Sequence, residues 1–357
     1  MPSKLPGLKI GNLEIPVPIV QGGMGVKVSM ASLAAAVAEC GGAGTIASVG
    51  LGQYEAHSPD FVKNCNDGLR HEIRRAKELT KGVVGVNIMV ALSNYADLVK
   101  TAAEEKADFI VSGAGLPLKL PELVDGYDIK LIPIVSSGRA AELIIKTWVK
   151  RYNRVQDAVV VEGPMAGGHL GFSREELDSR KYTLEEIVTD VIAAVKPYEA
   201  QSGREIPVIA GGGVFDGKDI ARFLKLGAKG VQMATRFVVT NECSVAEEFK
   251  QAYIAAEEKD VVLIKSPVGL PGRAIRTKFI DRIEAGETIP YKCAFRCLRT
   301  CDPTQVPYCI AKAMLNAADG KLDEAVVFAG SNVSRVKKIV PVRELMDELV
   351  SEASASL

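Results

Sequence analysis

The chain has no excess charge, no long apolar run and little histidine, and the first two absences each remove a class of function. Its 44 basic and 44 acidic residues cancel to a formal charge of zero, which argues against nucleic acid or an anionic membrane surface as the main partner. No apolar stretch approaches the ~20 residues of a membrane span, and Met1 to Ile10 lacks the basic-then-apolar pattern of a secretory signal. A cytoplasmic protein working on a small molecule is expected. The 357 residues, 47% hydrophobic, suffice for a large core in one big domain or two smaller ones. With only three histidines, each position carries information.

What is present is a rhythm of short β-rich apolar runs and longer amphipathic stretches, the pattern of repeated βα units around a parallel sheet. The runs are Val17 to Val20, Ala43 to Ala47, Val83 to Ile88, Phe109 to Ser112, Leu131 to Val135, Ala158 to Val161, Pro207 to Ala210 and Gly230 to Met233. Between the first two lies a helix expected over Ser29 to Cys40, with Ser29 as N-cap and Gly41-Gly42 as its stop. Repeats of this number and length predict a (β/α)8 TIM barrel, with a doubly wound sheet as the alternative. Glycine and polar residues follow nearly every run, as expected where one end of a barrel forms a site.

Two glycine strings resemble nucleotide motifs and fail on context. Gly42 to Ala47 fits a relaxed G-x-G-x-x-A but lies between a helix and a strand, the reverse of the dinucleotide fingerprint. Gly212 to Asp219 reads G-x-x-x-x-G-K-D, and Asp219 replaces the hydroxyl that would meet magnesium, so ATP is not expected. A simpler phosphate site remains. In a barrel the loops after the seventh and eighth strands often cradle one phosphate on backbone N–H groups. Here those loops are Gly211-Gly212-Gly213 and Gln232-Met233-Ala234-Thr235-Arg236.

The loop after the sixth run, Glu162-Gly163-Pro164-Met165-Ala166-Gly167-Gly168-His169-Leu170-Gly171, places a histidine among glycines that leave its ring uncovered. An imidazole there can move protons near neutral pH; the alternative is a structural histidine making one backbone bond. His57 and His71 sit in charged stretches and are expected to be solvent-exposed.

Taken with Gln21-Gly22-Gly23-Met24 and Gly85-Val86-Asn87, the His169 loop, Gly211 to Gly213 and Gln232 to Phe237 resemble the nitronate monooxygenase, or 2-nitropropane dioxygenase, family across nearly the whole barrel. That family includes flavin-dependent enoyl-[acyl-carrier-protein] reductases, and Val340 to Leu345 is similar to their ending. The resemblance implies flavin mononucleotide (FMN), with its phosphate on Gly213 and on Ala234-Thr235, and with Gly212, Gln232 and Met233 also among the cofactor-binding residues. Gly22, Gly23, Met24 and Asn87 would flank the ring system, and Ser112, Gly113 and Gly168 would complete the wall. His169 would be catalytic. The implied reactions are nitronate oxidation with dioxygen or reduction of an activated alkene, such as an enoyl thioester of fatty acid synthesis, with NAD(P)H. A non-enzymatic phosphate-ligand-binding barrel is the competing class. The chain departs from many relatives at Met165, where they carry glutamate, and at Gly330-Ser331-Asn332, where nitronate-oxidising members have Gly-Gln.

Residues 1–240 are expected to form the barrel, 241–329 an inserted, mostly helical cap, and 330–357 a helical return to the barrel. The cap holds the loop Ser266 to Arg276, in which Arg273 and Arg276 either meet an anionic group or form a solvated basic surface. Three of the seven cysteines, Cys40, Cys65 and Cys243, are scattered as reduced cytoplasmic thiols would be. The other four, Cys293, Cys297, Cys301 and Cys309, are spaced C-x3-C-x3-C-x7-C. Four close thiols suit zinc or an iron–sulfur cluster, and in a helix the first three would share one face while Pro303 turns the chain to bring Cys309 back; the alternative is a reduced, partly buried stripe on a cap helix. A homodimer is the oligomeric form to be tested.

Overall fold

The structure is a computed structural model that describes residues 5–52, 60–293 and 296–357. His57 lies outside them. A hairpin of β1 (Leu8–Ile10) and β2 (Leu13–Ile15) precedes eight parallel strands. These are β3 (Ile19–Gln21), β4 (Gly44–Ala47), β5 (Val84–Met89), β6 (Phe109–Gly113), β7 (Lys130–Val135), β8 (Val159–Glu162), β10 (Val208–Gly211) and β11 (Gly230–Met233). The two-residue β9 (Gly168–His169) interrupts the series. β11 pairs with β3, and Ala43 N–H to Ile19 O at 2.9 Å joins β3 to the start of β4, so the sheet closes into the expected (β/α)8 barrel.

Strand alternation divides the core in two. Phe109, Val111, Ile132, Val160 and Ile209 point inward and are sealed at one end by Leu8, Ile10 and Ile15 of the hairpin. Ile110, Leu131, Val159 and Val161 face the helices. Gly85 has no side chain where the Phe109 ring lies, which is why the barrel centre accepts a full aromatic.

The surrounding helices are α1 (Ala31–Glu39), α2 (Phe61–Leu79), α3 (Tyr95–Glu104), α4 (Leu120–Leu123), α5 (Gly138–Tyr152), α6 (Arg174–Asp178), α7 (Leu184–Ser202), α8 (Gly217–Leu226) and α9 (Thr235–Val238). α7 starts on a capping box in which Thr183 and Glu186 satisfy each other's backbone N–H. α1 differs from expectation at its start. Met30 occupies the cap position, and Glu72 from α2 accepts from Ala31 N–H at 2.7 Å. Ser29 instead accepts from Met24 N–H at 2.9 Å and donates to Gly22 O at 3.2 Å, shaping the β3 loop.

The segment 241–329 contributes α10 (Glu247–Ala255), β12 (Val261–Lys265), β13 (Pro271–Ile275), α11 (Lys278–Glu284), α12 (Ile310–Ala318) and β14 (Val327–Phe328). β13 takes β12, β14 and β9 as antiparallel partners, so a small sheet stitches the cap to the His169 loop. That pairing joins distant segments and leaves no local pattern in the sequence. α13 (Val342–Ser356) returns to the barrel, where Glu352 accepts from Gly217 N–H at 2.9 Å. No helix of the described residues is long and apolar enough to cross a membrane.

Candidate active site

Between the C-terminal strand ends and the cap lies a cavity of about 1080 Å³. That volume is at the top of the ~300–1,000 Å³ range of small-molecule sites, enough for a cofactor and a substrate together. Gly22, Gly23 and Met24 line it after β3, Asn87 on β5 and Gly113 at the end of β6. Gly168 and His169 line it from the sixth loop, Gly212 and Gly213 after β10, and Gln232, Met233, Ala234 and Thr235 from β11 onward.

Ser112 is a correction. It is fully buried and off the cavity wall; its hydroxyl donates to Ile88 O at 3.0 Å and lies 3.0 Å from the Tyr95 hydroxyl. The physical reason is the two-residue period of β6, which turns Phe109 and Val111 inward and Ile110 and Ser112 toward the helices.

The turn after β10 is a backbone construction. Gly212 and Gly213 have φ of +83° and +133°, which side chains rarely adopt, and a Cβ on Gly212 would lie 2.8 Å from Gly163 N. Asn332 donates to Gly213 O at 3.0 Å and fixes the turn. Among the described backbone hydrogen bonds, the N–H groups of Gly213, Ala234 and Thr235 reach no acceptor. Free amides on two adjacent loops are what a phosphate requires. Arg236 is not part of this cradle. It pairs with Glu348 at 2.8 Å and stacks on Phe215, on the side of α13.

His169 is held from three directions. Its backbone pairs with Gly272 of β13, its Nε2 lies 2.7 Å from Ser266 Oγ, and Phe328 meets its ring edge-on at 4.9 Å. Burial pushes the imidazole down to about 4, so it is neutral near pH 7. The loop beneath it is clamped by Arg273, which donates to Pro164 O at 2.7 Å and Ala166 O at 2.5 Å. Ser331 N–H and hydroxyl both donate to Met165 O at 3.1 Å. Arg273 therefore serves the loop, and Arg276 pairs with Asp281 at 2.5 Å on the surface, so neither is free for an anionic substrate.

Several site residues escaped the sequence. Glu162, at the end of β8, lines the cavity, and burial pushes its carboxyl up to about 7 although Gly171 N–H bonds to it. The signal was available: a carboxylate closing a fully apolar strand before a glycine loop. Ser266 and Phe328 had no such signal, because cap folding alone brings them to His169.

Cys297 lines the cavity, and Cys293, Cys301 and Cys309 lie off its wall. The helix considered for the cysteines is not formed by the described residues 296–309. Cys297 O accepts from Ser93 N–H at 3.0 Å, Arg299 N–H donates to Ala91 O at 2.9 Å, and Leu298 bridges Leu92, so the backbone is drawn out along the β5 loop rather than coiled. Among the described residues, no group of three or more histidine, cysteine or acidic side chains is placed to hold a metal ion.

Comparison with known proteins extends over most of the chain. The profile of the family described as nitronate monooxygenase matches residues 7–108 and 94–352. The (3aS,4S,5R,7aS)-5-hydroxy-7a-methyl-1-oxo-octahydro-1H-indene-4-carboxyl-CoA dehydrogenase of Mycobacterium tuberculosis is 29% identical over 269 residues, 75% of this chain and 66% of that protein. The match thus spans just under two thirds of that relative. A probable nitronate monooxygenase of Staphylococcus aureus is 26% identical over 77% of this chain and 79% of its own length. FabK from Thermotoga maritima shares 30% identity with a TM-score of 0.74, covering 95% of this chain and 93% of its own. A nitroalkane oxidase from Streptomyces ansochromogenes, 23% identical with a TM-score of 0.73 over 96% and 97% of the two chains, shares the fold.

Proposed function

The chain belongs to the nitronate monooxygenase family, and from that premise we propose that it is an FMN-dependent oxidoreductase acting at a carbon next to an electron-withdrawing group. The observation that carries this is the neutral His169, fixed by Ser266 in the wall of a cavity that is also lined by Gly213, Ala234 and Thr235, whose amides are free for a phosphate. The residues fit FMN. Gly213, Ala234 and Thr235 would hold its phosphate, and Gly22 to Met24 with Asn87 would flank its ring. A bound flavin would supply the two-electron chemistry, linking NAD(P)H or dioxygen to the organic substrate.

The chain's own groups bind, orient and hold protons. With Nε2 engaged by Ser266, the other ring nitrogen of His169 is left for a nitro or carbonyl oxygen of the substrate. Glu162, its carboxyl pushed up to about 7, holds a proton below that pH and is the candidate to deliver one to carbon.

Of two substrate classes, an acyl thioester reduced or oxidised next to its carbonyl has the better support. Val268, Leu270, Leu298, Ile310 and Met314 give the cavity an apolar wall larger than a small nitronate needs. The Mycobacterium tuberculosis relative is named for a CoA thioester substrate. Reduction of an enoyl thioester with NAD(P)H, as in fatty acid synthesis, is the form proposed, in a cytoplasmic setting. Nitronate oxidation with dioxygen is the second reading, favoured by the family profile itself. Anaerobic mixing separates them: bleaching of the bound flavin by NADH or NADPH supports the reductase, and bleaching only by a nitronate supports the monooxygenase.

A further inference from the structure

Two cap helices supply an uncharged stretch of the cavity wall. α10 turns Phe249 and Tyr253 to the cavity, four positions apart, and α12 turns Ile310, Met314 and Ala317, spaced i, i+4 and i+7, so each helix presents one face. The Phe249 and Tyr253 rings stack with centroids 5.5 Å apart. The Tyr253 hydroxyl donates to Phe328 O, so its polar tip is spent on backbone.

This stretch starts at the His169 loop and ends where the helices meet. Phe328 lines the cavity, meets the His169 ring edge-on at 4.9 Å and takes the Tyr253 hydroxyl on its carbonyl, so one residue joins the apolar wall to the histidine. At the far end Ala246 N–H donates to Ala318 O at 2.9 Å, which brings the start of α10 onto the end of α12 beside Phe249 and Ala317. Tyr253 is 2% exposed, Ala317 1% and Val326, which also lines the cavity, 2%, so the space between them is narrow and suits a single chain rather than a ring.

We propose that an unbranched hydrocarbon tail of the substrate lies in this stretch, running from His169 past Phe328 and between α10 and α12, with Ala317 and Phe249 as its end stop. The proposal rests on the reading of the chain as an oxidoreductase at a carbon next to an electron-withdrawing group, and it holds for a thioester or a nitronate head. From Ile310 to Ala317 the wall is ~10 Å long at ~1.5 Å per residue. An extended carbon chain advances ~1.2 Å per bond, the value implied by ~3.6 Å for the three bonds of one extended residue. The tail is therefore of medium length, about eight carbons. Each methylene that leaves water for this wall is worth about fourfold in affinity. Ala317 sets the length, because a larger side chain there fills the end of the space.

The test is calorimetric titration of the full-length protein, its flavin content recorded, with butanoyl-CoA, octanoyl-CoA and dodecanoyl-CoA, and in parallel with nitroethane and nitrohexane. Octanoyl-CoA should bind at least about tenfold more tightly than butanoyl-CoA, nitrohexane should exceed nitroethane likewise, and dodecanoyl-CoA should gain nothing further. Ala317→Phe should cut the octanoyl-to-butanoyl affinity ratio about tenfold. A bulky residue can upset a packed helix, so Phe249→Leu is the second variant: it opens the end stop and should make dodecanoyl-CoA the tighter ligand. Affinity that does not rise with length in either series overturns the proposal. So does the parent's length dependence retained in both variants, or cyclohexanecarbonyl-CoA binding more tightly than octanoyl-CoA. Turnover of the matching enoyl thioesters and nitronates is measured separately, so absent turnover with the length dependence intact refutes the reaction and keeps the tail site.

Discussion

Two segments frame the cavity rim, and they are held in opposite ways. The His169 loop is fixed by its own backbone: strand pairing to β13, two carbonyls clamped by Arg273, one held by Ser331, and Gly167 packed directly on Ala329. The described part of the cysteine segment, 296–309, is held at points instead: Cys297 O and Arg299 N–H bond to the loop after β5, and the Thr300 hydroxyl donates to Val268 O. A backbone-built site tolerates almost no added volume but holds its side chain in one place. Catalysis belongs with the first kind, because a proton-handling group loses its effect when its position drifts.

The sharpest way to break the comparison is His169→Ala. Turnover should fall by ~10²–10⁴-fold, the usual worth of a positioned proton-transfer group, while flavin remains bound. Unchanged turnover, measured with flavin content matched, would make His169 a structural residue.

A paired substitution comes next. Gly212→Ala and Gly168→Ala both force alanine into left-handed backbone, at roughly 1–2 kcal/mol each. Only Gly212→Ala also drives its Cβ to 2.8 Å from Gly163 backbone; at Gly168 nothing lies within 4 Å. Flavin affinity should drop at least tenfold further in Gly212→Ala than in Gly168→Ala, read by fluorescence titration. Equal losses would show that local strain, not packing against Gly163, governs the cradle.

Arg273→Met leaves the Pro164 and Ala166 carbonyls without their shared donor. About 1–3 kcal/mol of stability should be lost, the usual result of stranding a buried polar group, and His169 should lose part of its catalytic effect with it. A variant as stable and active as the parent would remove the clamp from the comparison.

The smallest effect concerns pH. The folded protein keeps a proton on Glu162 up to about 7, whereas an unfolded carboxyl loses it near 4.5, so stability from this group falls as pH rises through that window. His169 acts oppositely: the unfolded imidazole gains a proton below 6.5 and the folded one resists to about 4, so stability falls as pH drops through that range. Denaturant titrations of Glu162→Gln from pH 4.5 to 8 should lack the first decline and keep the second. A Gln variant with the parent's profile would place Glu162 in solvent.

Much of the barrel was legible because its strands are buried on both faces and read as continuous β-branched runs. Gly230 to Met233 was expected and found as β11, and Ala158 to Val161 lies one residue from β8. The glycine loops were legible for the same reason: only the cavity end of each strand demands small residues. Ser112 was misplaced because its motif neighbours outweighed the strand's two-residue period. Ser266, Phe328 and the Arg273 clamp were invisible, since the turn after β12 brings Ser266 to His169 across 97 positions only once β13 pairs with the His169 loop. The helix considered for the cysteines is not formed by the described residues 296–309, where Cys297 O and Arg299 N–H are engaged by the loop after β5.

The most direct test of the central claim is an absorbance titration of the purified protein with FMN, run in parallel on the Gly212→Ala variant. Saturable binding of about one flavin per chain, with the oxidised flavin bands shifted from those of free FMN and the response lost in the variant, is the expected result. A parent protein that leaves the FMN spectrum unshifted at every concentration would contradict it.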